Sequence, residues 1–460
     1  MYDVAIEKGK TYEVEIVDIG SNGEGIGKFE GLTVFVENGV PGDKVKVIIE
    51  IVKKNYSVGR IIDILVPSQY RVEPVCPHAD ICGGCQIQQI DYKAQLKLKT
   101  DMVKAAISRI GKLKDVLIRD AIGMDEPKYY RNKAQFPVSV IGGNALLGFY
   151  KKGSHEIVDI ESCYIQHSIN DNIIRAMKVY MDKNKVSAYD EATGKGLIRH
   201  IVTKVGFTTG EIMVILVTNE REIPHKEDLI QLLIKEIPKV NIVQNINRKR
   251  GNKILGDECI TLYGKDRILD YIGELQFSIS PLSFFQVNPM QTKVLYDKVL
   301  EFAELSGEET VYDIYCGIGT ISLFLAQRAK KVYGVEVVEA AIADAKKNAE
   351  LNSISKVEFI VGEAEVVFPR LYKQGLRADV VVVDPPRKGC DEKVLDTIVK
   401  VNPQRIVYVS CNPATLARDL KYLDENGYRI VEIQPVDMFP HTGHVETVVL
   451  MTYCGLDKKK

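Results

Sequence analysis

At 460 residues with 45% hydrophobic content, the chain has enough apolar side chain for two or three globular domains. No apolar run approaches the roughly 18 residues that a membrane span needs, and Met1 to Lys10 lacks the apolar centre of a secretory signal, so a cytoplasmic protein with no membrane partner is expected. A net charge of −1 gives no overall attraction to a polyanion, and no obligate protein partner is evident, so a nucleic-acid partner has to be argued from local features.

From Lys8 to about Pro67, short alternating segments (TYEVEIVDIG, GLTVFVENG, GDKVKVIIEIV, SVGRIIDIL) are separated by Gly and Asn/Pro turns, which predicts a small OB-like β-barrel over residues 1–67. Such a barrel is as often a plain structural module as a nucleic-acid platform. Nine cysteines is an odd number, and three of them, Cys76, Cys82 and Cys85, crowd together, which suits ligation or catalysis in a reducing compartment better than a disulfide framework. A helical segment with Tyr92, Leu96 and Leu98 among lysines follows. Alternating segments from Lys128 to about Ile279, including KAQFPVSV, EIMVILVT and NIVQNIN, predict a central α+β domain, residues 68–285.

Beyond Gln291, Val/Ile-rich strands alternate with helices: TVYDIY, KVYGVEVV, VEFIVG, DVVVVDPP and RIVYVSC. Continuous apolar strands of this kind imply a parallel sheet covered on both faces, so residues 286–460 read as a doubly wound, Rossmann-like α/β domain. The last segments, RIVEIQPVDMFP and ETVVLMTY, are expected as a hairpin-like pair at one edge.

In TVYDIYCGIGTISLFLA a strand ends at Asp313, and Gly317 and Gly319 form a tight loop before an apolar helix. Glycines there let a small ligand approach the backbone, and neither a GxGxxG nor a Walker pattern is present. One βα unit later Glu336 ends the second strand, where a carboxylate accepts from both ribose hydroxyls of a nucleoside; the competing reading is a cap on the next helix. Asp384, in DPPRKG, ends the fourth strand at the same carboxyl edge, and the three features together look like the class I S-adenosylmethionine methyltransferase fold. Enzymes that methylate amines usually carry an aromatic residue after a DPP motif, and here Arg387 follows.

Cys411 follows the strand RIVYVS directly and so faces the same crevice. Carbon 5 of uracil is too electron-poor to attack a methyl sulfonium, but a thiolate added at carbon 6 turns the ring into an enolate that does so. A base must then remove the carbon 5 proton, and Glu446 is the candidate, with His441 and His444 as competitors for that role.

At these residues the chain resembles the RNA uracil-5 methyltransferases. The motifs are FFQVNPMQ around Gln286, DIYCGIGT, DPPRKG, and VSCNPATLARDL followed by HVETVVL. The resemblance implies S-adenosylmethionine contact from Gln286, Tyr315, Gly317, Glu336 and Asp384, nucleophilic attack by Cys411 and proton abstraction by Glu446. It extends to the N-terminus: residues 1–67 are similar to a TRAM domain, an RNA-binding barrel, and Cys76, Cys82, Cys85 and Cys163 are similar to the four ligands of a [4Fe-4S] cluster in the branch that acts on 23S ribosomal RNA. Spacing alone suits a structural zinc site equally well. Basic runs at Lys53–Tyr56, Lys128–Lys133 and Arg248–Arg250 are compatible with RNA. The alternatives are a transfer RNA enzyme acting on the T-loop uridine, a non-catalytic RNA-binding iron–sulfur module, and an amine or protein methyltransferase, whose activity would survive Cys411→Ala.

Overall fold

Period-two alternation closes the first five strands on themselves. In the computed structural model, which describes residues 6–20 and 22–455, β1 (Thr11–Ile19), β2 (Gly25–Phe29), β3 (Leu32–Glu37), β4 (Lys44–Val52) and β5 (Tyr56–Val66) form a closed barrel in the order β1-β2-β3-β5-β4. The outermost residues of the expected spans 1–67 and 286–460 lie outside the described residues. Inward positions Val14, Ile16, Val34, Val36, Val45, Val47 and Ile49 fill the barrel, while the intervening residues face out.

Helix α1 (Tyr92–Arg109) starts at Asp91, whose carboxylate accepts from the amides of Lys93 and Ala94. The central sheet is built from β6 (Lys133–Ile141), β7 (Asn144–Tyr150), β8 (Ile157–Asp159), β9 (Ile198–Val205), β10 (Ile212–Thr218), β11 (Val240–Ile246) and β12 (Glu258–Tyr263). Its order is β12-β11-β10-β9-β6-β7-β8, antiparallel except for the β10/β11 pair. Helices α2 (Ile169–Asn184) and α3 (Lys226–Glu236) cover one face, through Ile173, Met177, Tyr180, Leu229 and Leu233.

A hairpin, β13 (Ile268–Ile272) with β14 (Leu275–Ile279), leads into the catalytic sheet. That part contains α4 (Pro289–Ala303), β15 (Thr310–Ile314), α5 (Thr320–Ala326), β16 (Lys331–Glu336), α6 (Glu339–Leu351), β17 (Val357–Val361), α7 (Ala364–Lys373), β18 (Val380–Val383), α8 (Glu392–Val401), β19 (Arg405–Ser410), α9 (Pro413–Glu425), β20 (Tyr428–Val436) and β21 (Glu446–Tyr453). The order β17-β16-β15-β18-β19-β21-β20 is parallel through β19. As expected, the last two strands pair at one edge, with β21 inserted antiparallel between β19 and β20. Two Asn-Pro pairs start helices here. Asn288 accepts from Gln291 N and Asn412 from Ala414 N, and the prolines occupy the first turn, where a missing N–H costs nothing.

Apolar packing ties both ends of the expected central span 68–285 to the C-terminal part. Val103, Ala106 and Ile107 of α1 enter the same core as Leu416, Leu420 and Ile433, and Ile118 and Ile122 bridge to Ile433 and Val436 beside β20. Likewise, Ile268, Ile272, Phe277 and Ile279 of the hairpin pack with Leu295, Val299 and Phe324. The stretch after the cysteine cluster and the hairpin before Gln286 therefore belong to the C-terminal body. The second face of the central sheet (Val202, Met213, Ile215, Val243) joins that core as well, so the two bodies share one apolar interior.

Candidate active site

The carboxyl ends of β15, β16, β18 and β19 open into a cleft of about 1680 Å³. Gln286, Tyr315, Gly317, Glu336, Asp384, Cys411 and Glu446 all line it, as do Cys76, Cys82, Cys85 and Cys163. The expected cofactor, nucleophile, base and cysteine-cluster residues thus line one space, whereas Asp313, Gly319 and His441 do not line it.

At the loop after β15 the backbone is left-handed at Tyr315 (φ 72°), Gly317 (φ 54°) and Gly319 (φ 79°). Tyr315 holds that strained conformation because its amide and that of Cys316 both donate to Val335 O, at 2.9 and 3.0 Å. A Cβ on Gly317 would meet nothing within 4 Å, so the space beside it is open, whereas one on Gly319 would lie 2.6 Å from the Phe359 ring. Glu336 accepts from Gly317 N at 3.2 Å and from Val338 N at 2.9 Å. Helix α6 has Val338 at its N-cap and no side-chain cap, so the Glu336 carboxylate braces the loop and the turn before the helix, and it keeps lone pairs for the cleft.

Two more acids surround this loop. Asp313 accepts from Ser322 Oγ at 2.5 Å, but its other oxygen is buried without a partner, and burial pushes its pKa up to about 7. Burial likewise raises Asp384 to about 6. Open backbone space beside Gly317 and the cleft-lining carboxyls of Glu336 and Asp384 fit a nucleoside ligand that also carries positive charge, as S-adenosylmethionine does. Gln286 reaches this end on a segment pinned from behind. Asn132 Nδ2 donates to Gln286 O at 2.9 Å, and the buried Lys204 Nζ donates to Ser280 O and Ser283 O, both at 2.7 Å. Sequence reasoning missed Lys204; the available sign was a lysine placed within the Val/Ile-rich half of the strand IRHIVTKV.

At the other end, the antiparallel register pairs Ser410 with Thr447, and Glu446 begins β21. One step further, Cys411 therefore emerges beside Glu446. Burial first, then the charges of Glu446 and Asp384, push the Cys411 thiol up to about 11, and the Arg387 guanidinium works against them. Glu446 is 5% exposed and is raised well above the usual carboxylate range by burial first and then Asp384, again opposed by Arg387. Arg387 is thus a cation that acts on both groups, and its carbonyl is anchored by Asn412 Nδ2 at 3.0 Å and Thr415 Oγ1 at 3.2 Å. His444 lines the cleft with Nε2 3.5 Å from Arg387, while both ring nitrogens of His441 are engaged elsewhere, by Gln95 and Pro127 O.

The four cysteines gather at the outer wall. Their thiols act electrostatically on one another, and burial raises Cys85 to about 12 and Cys163 to about 11. Backbone amides point at the sulfurs, with Gly84 N 3.4 Å from Cys82 Sγ and those of Ile165 and Gln166 on Cys163. Donors of that kind favour thiolate, the ligating form. Among the described residues no three His, Cys, Asp or Glu side chains are close enough to hold a single metal ion. No metal site of either kind, a zinc tetrahedron or a ligand set for a cluster, is therefore preformed among the described residues. Of the three basic runs, only that at 128–133 reaches the cleft, through Arg131 and Lys133. No described helix is long and apolar enough to cross a membrane.

Comparison with known proteins matches residues 91–454 to the family model described as tRNA (Uracil-5-)-methyltransferase and residues 6–62 to the TRAM domain. An uncharacterized RNA methyltransferase of Clostridium tetani is 52% identical over 459 residues, covering 100% of this chain and 99% of its own. One from Caldanaerobacter subterraneus subsp. tengcongensis is 52% identical over 447 residues, 97% of this chain and 99% of its own. Among solved structures, the Pyrococcus abyssi tRNA (uracil-54, C5)-methyltransferase in complex with S-adenosyl-L-homocysteine is similar with a TM-score of 0.76 and 29% identity, covering 96% of this chain and 100% of that one.

Proposed function

Because the chain belongs to the tRNA (uracil-5-)-methyltransferase family and is an S-adenosylmethionine-dependent RNA methyltransferase, we propose that it methylates carbon 5 of a uridine through a covalent adduct on Cys411. The observation that carries this reading is the placement of Cys411 beside Glu446 in a buried, acid-lined cleft. S-adenosylmethionine, held by Gln286, Tyr315, Gly317, Glu336 and Asp384, supplies an electrophilic methyl group and adds positive charge.

In this reading Cys411 attacks carbon 6 as thiolate, and Arg387 offsets the charge that develops. The electron pair displaced to carbon 5 takes the methyl group. Glu446 then removes the carbon 5 proton, the carbon 5–carbon 6 double bond re-forms, and the Cys411 sulfur leaves. Burial of Glu446 keeps water from competing at this step. The target base must leave its stack to enter so enclosed a cleft.

For the substrate, a uridine of 23S ribosomal RNA is the reading supported by the TRAM barrel and by the four-cysteine set, whose amide-to-sulfur contacts suit a [4Fe-4S] cluster in a reducing cytoplasm. Transfer RNA is the second reading, favoured by the Pyrococcus abyssi relative, which acts on uracil-54 of tRNA. Labelled methyl transfer to unmodified 23S ribosomal RNA and to unmodified transfer RNA, side by side, separates the two. Label in 5-methyluridine of ribosomal RNA, lost in Cys411→Ala, is expected; label in transfer RNA establishes the second reading, and label surviving Cys411→Ala removes the covalent mechanism.

A further inference from the structure

The segment from Asp437 to Val445, which delivers Glu446 to the cleft, contains no helix or strand. Lys99, Tyr130, Asn288 and Gln291 hold its first half, and His441 anchors its middle. This residue is 8% exposed and sits at φ 67°, a left-handed conformation that costs energy for a residue with a Cβ and persists only when its surroundings hold it.

Every polar atom of His441 is committed. Its amide donates to Gln95 Oε1 at 3.0 Å, and its carbonyl accepts from the amides of Gln86 and Ile87 at 3.0 and 3.2 Å. Nε2 lies 2.9 Å from Pro127 O, and a carbonyl only accepts, so Nε2 carries the ring hydrogen. Nδ1 then faces Gln95 Nε2 at 3.2 Å, an amide nitrogen whose two hydrogens are shared among Nδ1, Ile87 O and Ile90 O. The rings of Tyr92 and Tyr164 flank the imidazole with centroids at 6.1 and 5.6 Å. The residue does not line the cleft, unlike its neighbours Phe439, Thr442, His444 and Glu446.

We propose that His441 is a positioning residue for the proton-abstraction step: by tying the Asp437–Val445 segment to α1 and to the loop after Cys85, it sets where the Glu446 carboxylate meets carbon 5. The proposal rests on the covalent mechanism above. Attack by Cys411 and methyl transfer do not use the Glu446 carboxylate, so a displaced Glu446 leaves both steps running and stalls the last. The methylated RNA then stays bonded to the Cys411 sulfur through carbon 6, still carrying its carbon 5 proton. Displacement of a base by about 1 Å costs on the order of 10²-fold in rate.

The test uses the full-length protein and a uridine RNA that it methylates. His441→Leu removes both ring hydrogen bonds, and His441→Gln restores one acceptor and one donor. With His441→Leu, kcat is expected to fall on the order of 10²-fold while KM for the RNA stays within about threefold, and a labelled protein–RNA adduct accumulates on a denaturing gel. His441→Gln recovers most of the turnover and loses the adduct. If His441→Leu does not fold, Gln95→Leu removes the same support from α1 and is expected to give the same adduct. Unchanged turnover, or adduct formation on 5-fluorouridine RNA reduced as much as turnover, overturns the proposal, because the residue then serves nothing specific or only the fold. In the wild-type protein, 5-fluorouridine RNA should be trapped on Cys411, since carbon 5 has no proton to lose. Absence of that trapped species overturns the covalent mechanism itself and is distinguishable from failure at His441.

Discussion

Cys411 and Glu446 come from strands that run in opposite directions, and the pairing of Ser410 with Thr447 brings them out side by side at one end of the sheet. Glu446 disfavours the charged form of Cys411, and Asp384 acts in the same direction on both. Burial and Asp384 therefore weigh against the charged form of both groups in the free protein, with Arg387 as the opposing charge.

This arrangement predicts how activity depends on pH. A thiol whose pKa lies at about 11 is almost wholly protonated near neutrality, and only the thiolate attacks. Because kcat/KM reports the free enzyme, it should climb steadily with pH from neutrality into the alkaline range. Arg387→Gln removes the cation that lowers both groups and should shift that climb to higher pH. A plateau reached near neutrality would show that Cys411 is not the titrating nucleophile.

Glu446→Gln should separate the steps. Loss of turnover by roughly 10²- to 10⁴-fold, with the methylated Cys411 adduct still formed, is expected, and Cys411→Ala should abolish both. Denaturing gels of the labelled reactions read both outcomes.

Asp313 ties stability to pH in a direction opposite to an ordinary paired carboxylate. Its folded pKa of about 7 lies above the usual 3.8, so the folded chain holds this proton more tightly than the unfolded one. The stability this contributes is fully present below the ordinary value and is lost as pH rises through about 7. Asp313→Asn should flatten that part of the melting-temperature profile in the absence of cofactor.

The ion pair between Lys99 Nζ and Asp437 Oδ1, at 2.5 Å, is almost fully buried and joins α1 to the segment that leads to Glu446. Lys99→Met leaves an unpaired buried carboxylate and should cost about 3–5 kcal/mol in urea unfolding. Adding Asp437→Asn should recover part of that loss, since no charge is then stranded. If the single variant is as stable as the parent, the pair contributes nothing to the union of α1 with the catalytic body.

The cysteine loop bears on the same segment, because the residues right after Cys85 donate to His441 O. Cys85→Ser should lower iron and acid-labile sulfide in protein purified without oxygen, and it should also make the methylated adduct persist. Unchanged iron content would remove the [4Fe-4S] assignment.

Much of this molecule was legible in the chain. Period-two alternation announced the barrel, the Val-rich strands announced a buried parallel sheet, and Gly317, Glu336, Asp384 and Cys411 were marked because each sits where a strand ends. Strand ends are local events, so local patterns reveal them. The boundary at 68–285 was not legible, because whether Val103 and Ala106 of α1 face Leu416 or the central sheet is a choice among distant apolar surfaces. The same holds for Lys204, which holds the Gln286 segment from 76 and 79 residues away, and for His441, whose partner Gln95 is 346 residues distant. By itself the sequence determined which chemistry the chain carries, since residue types at strand ends specify it. Only the tertiary structure decided which buried groups steer that chemistry, because burial and charge proximity, which set the state of Cys411, Asp313 and Glu446, arise when remote segments close over one cleft.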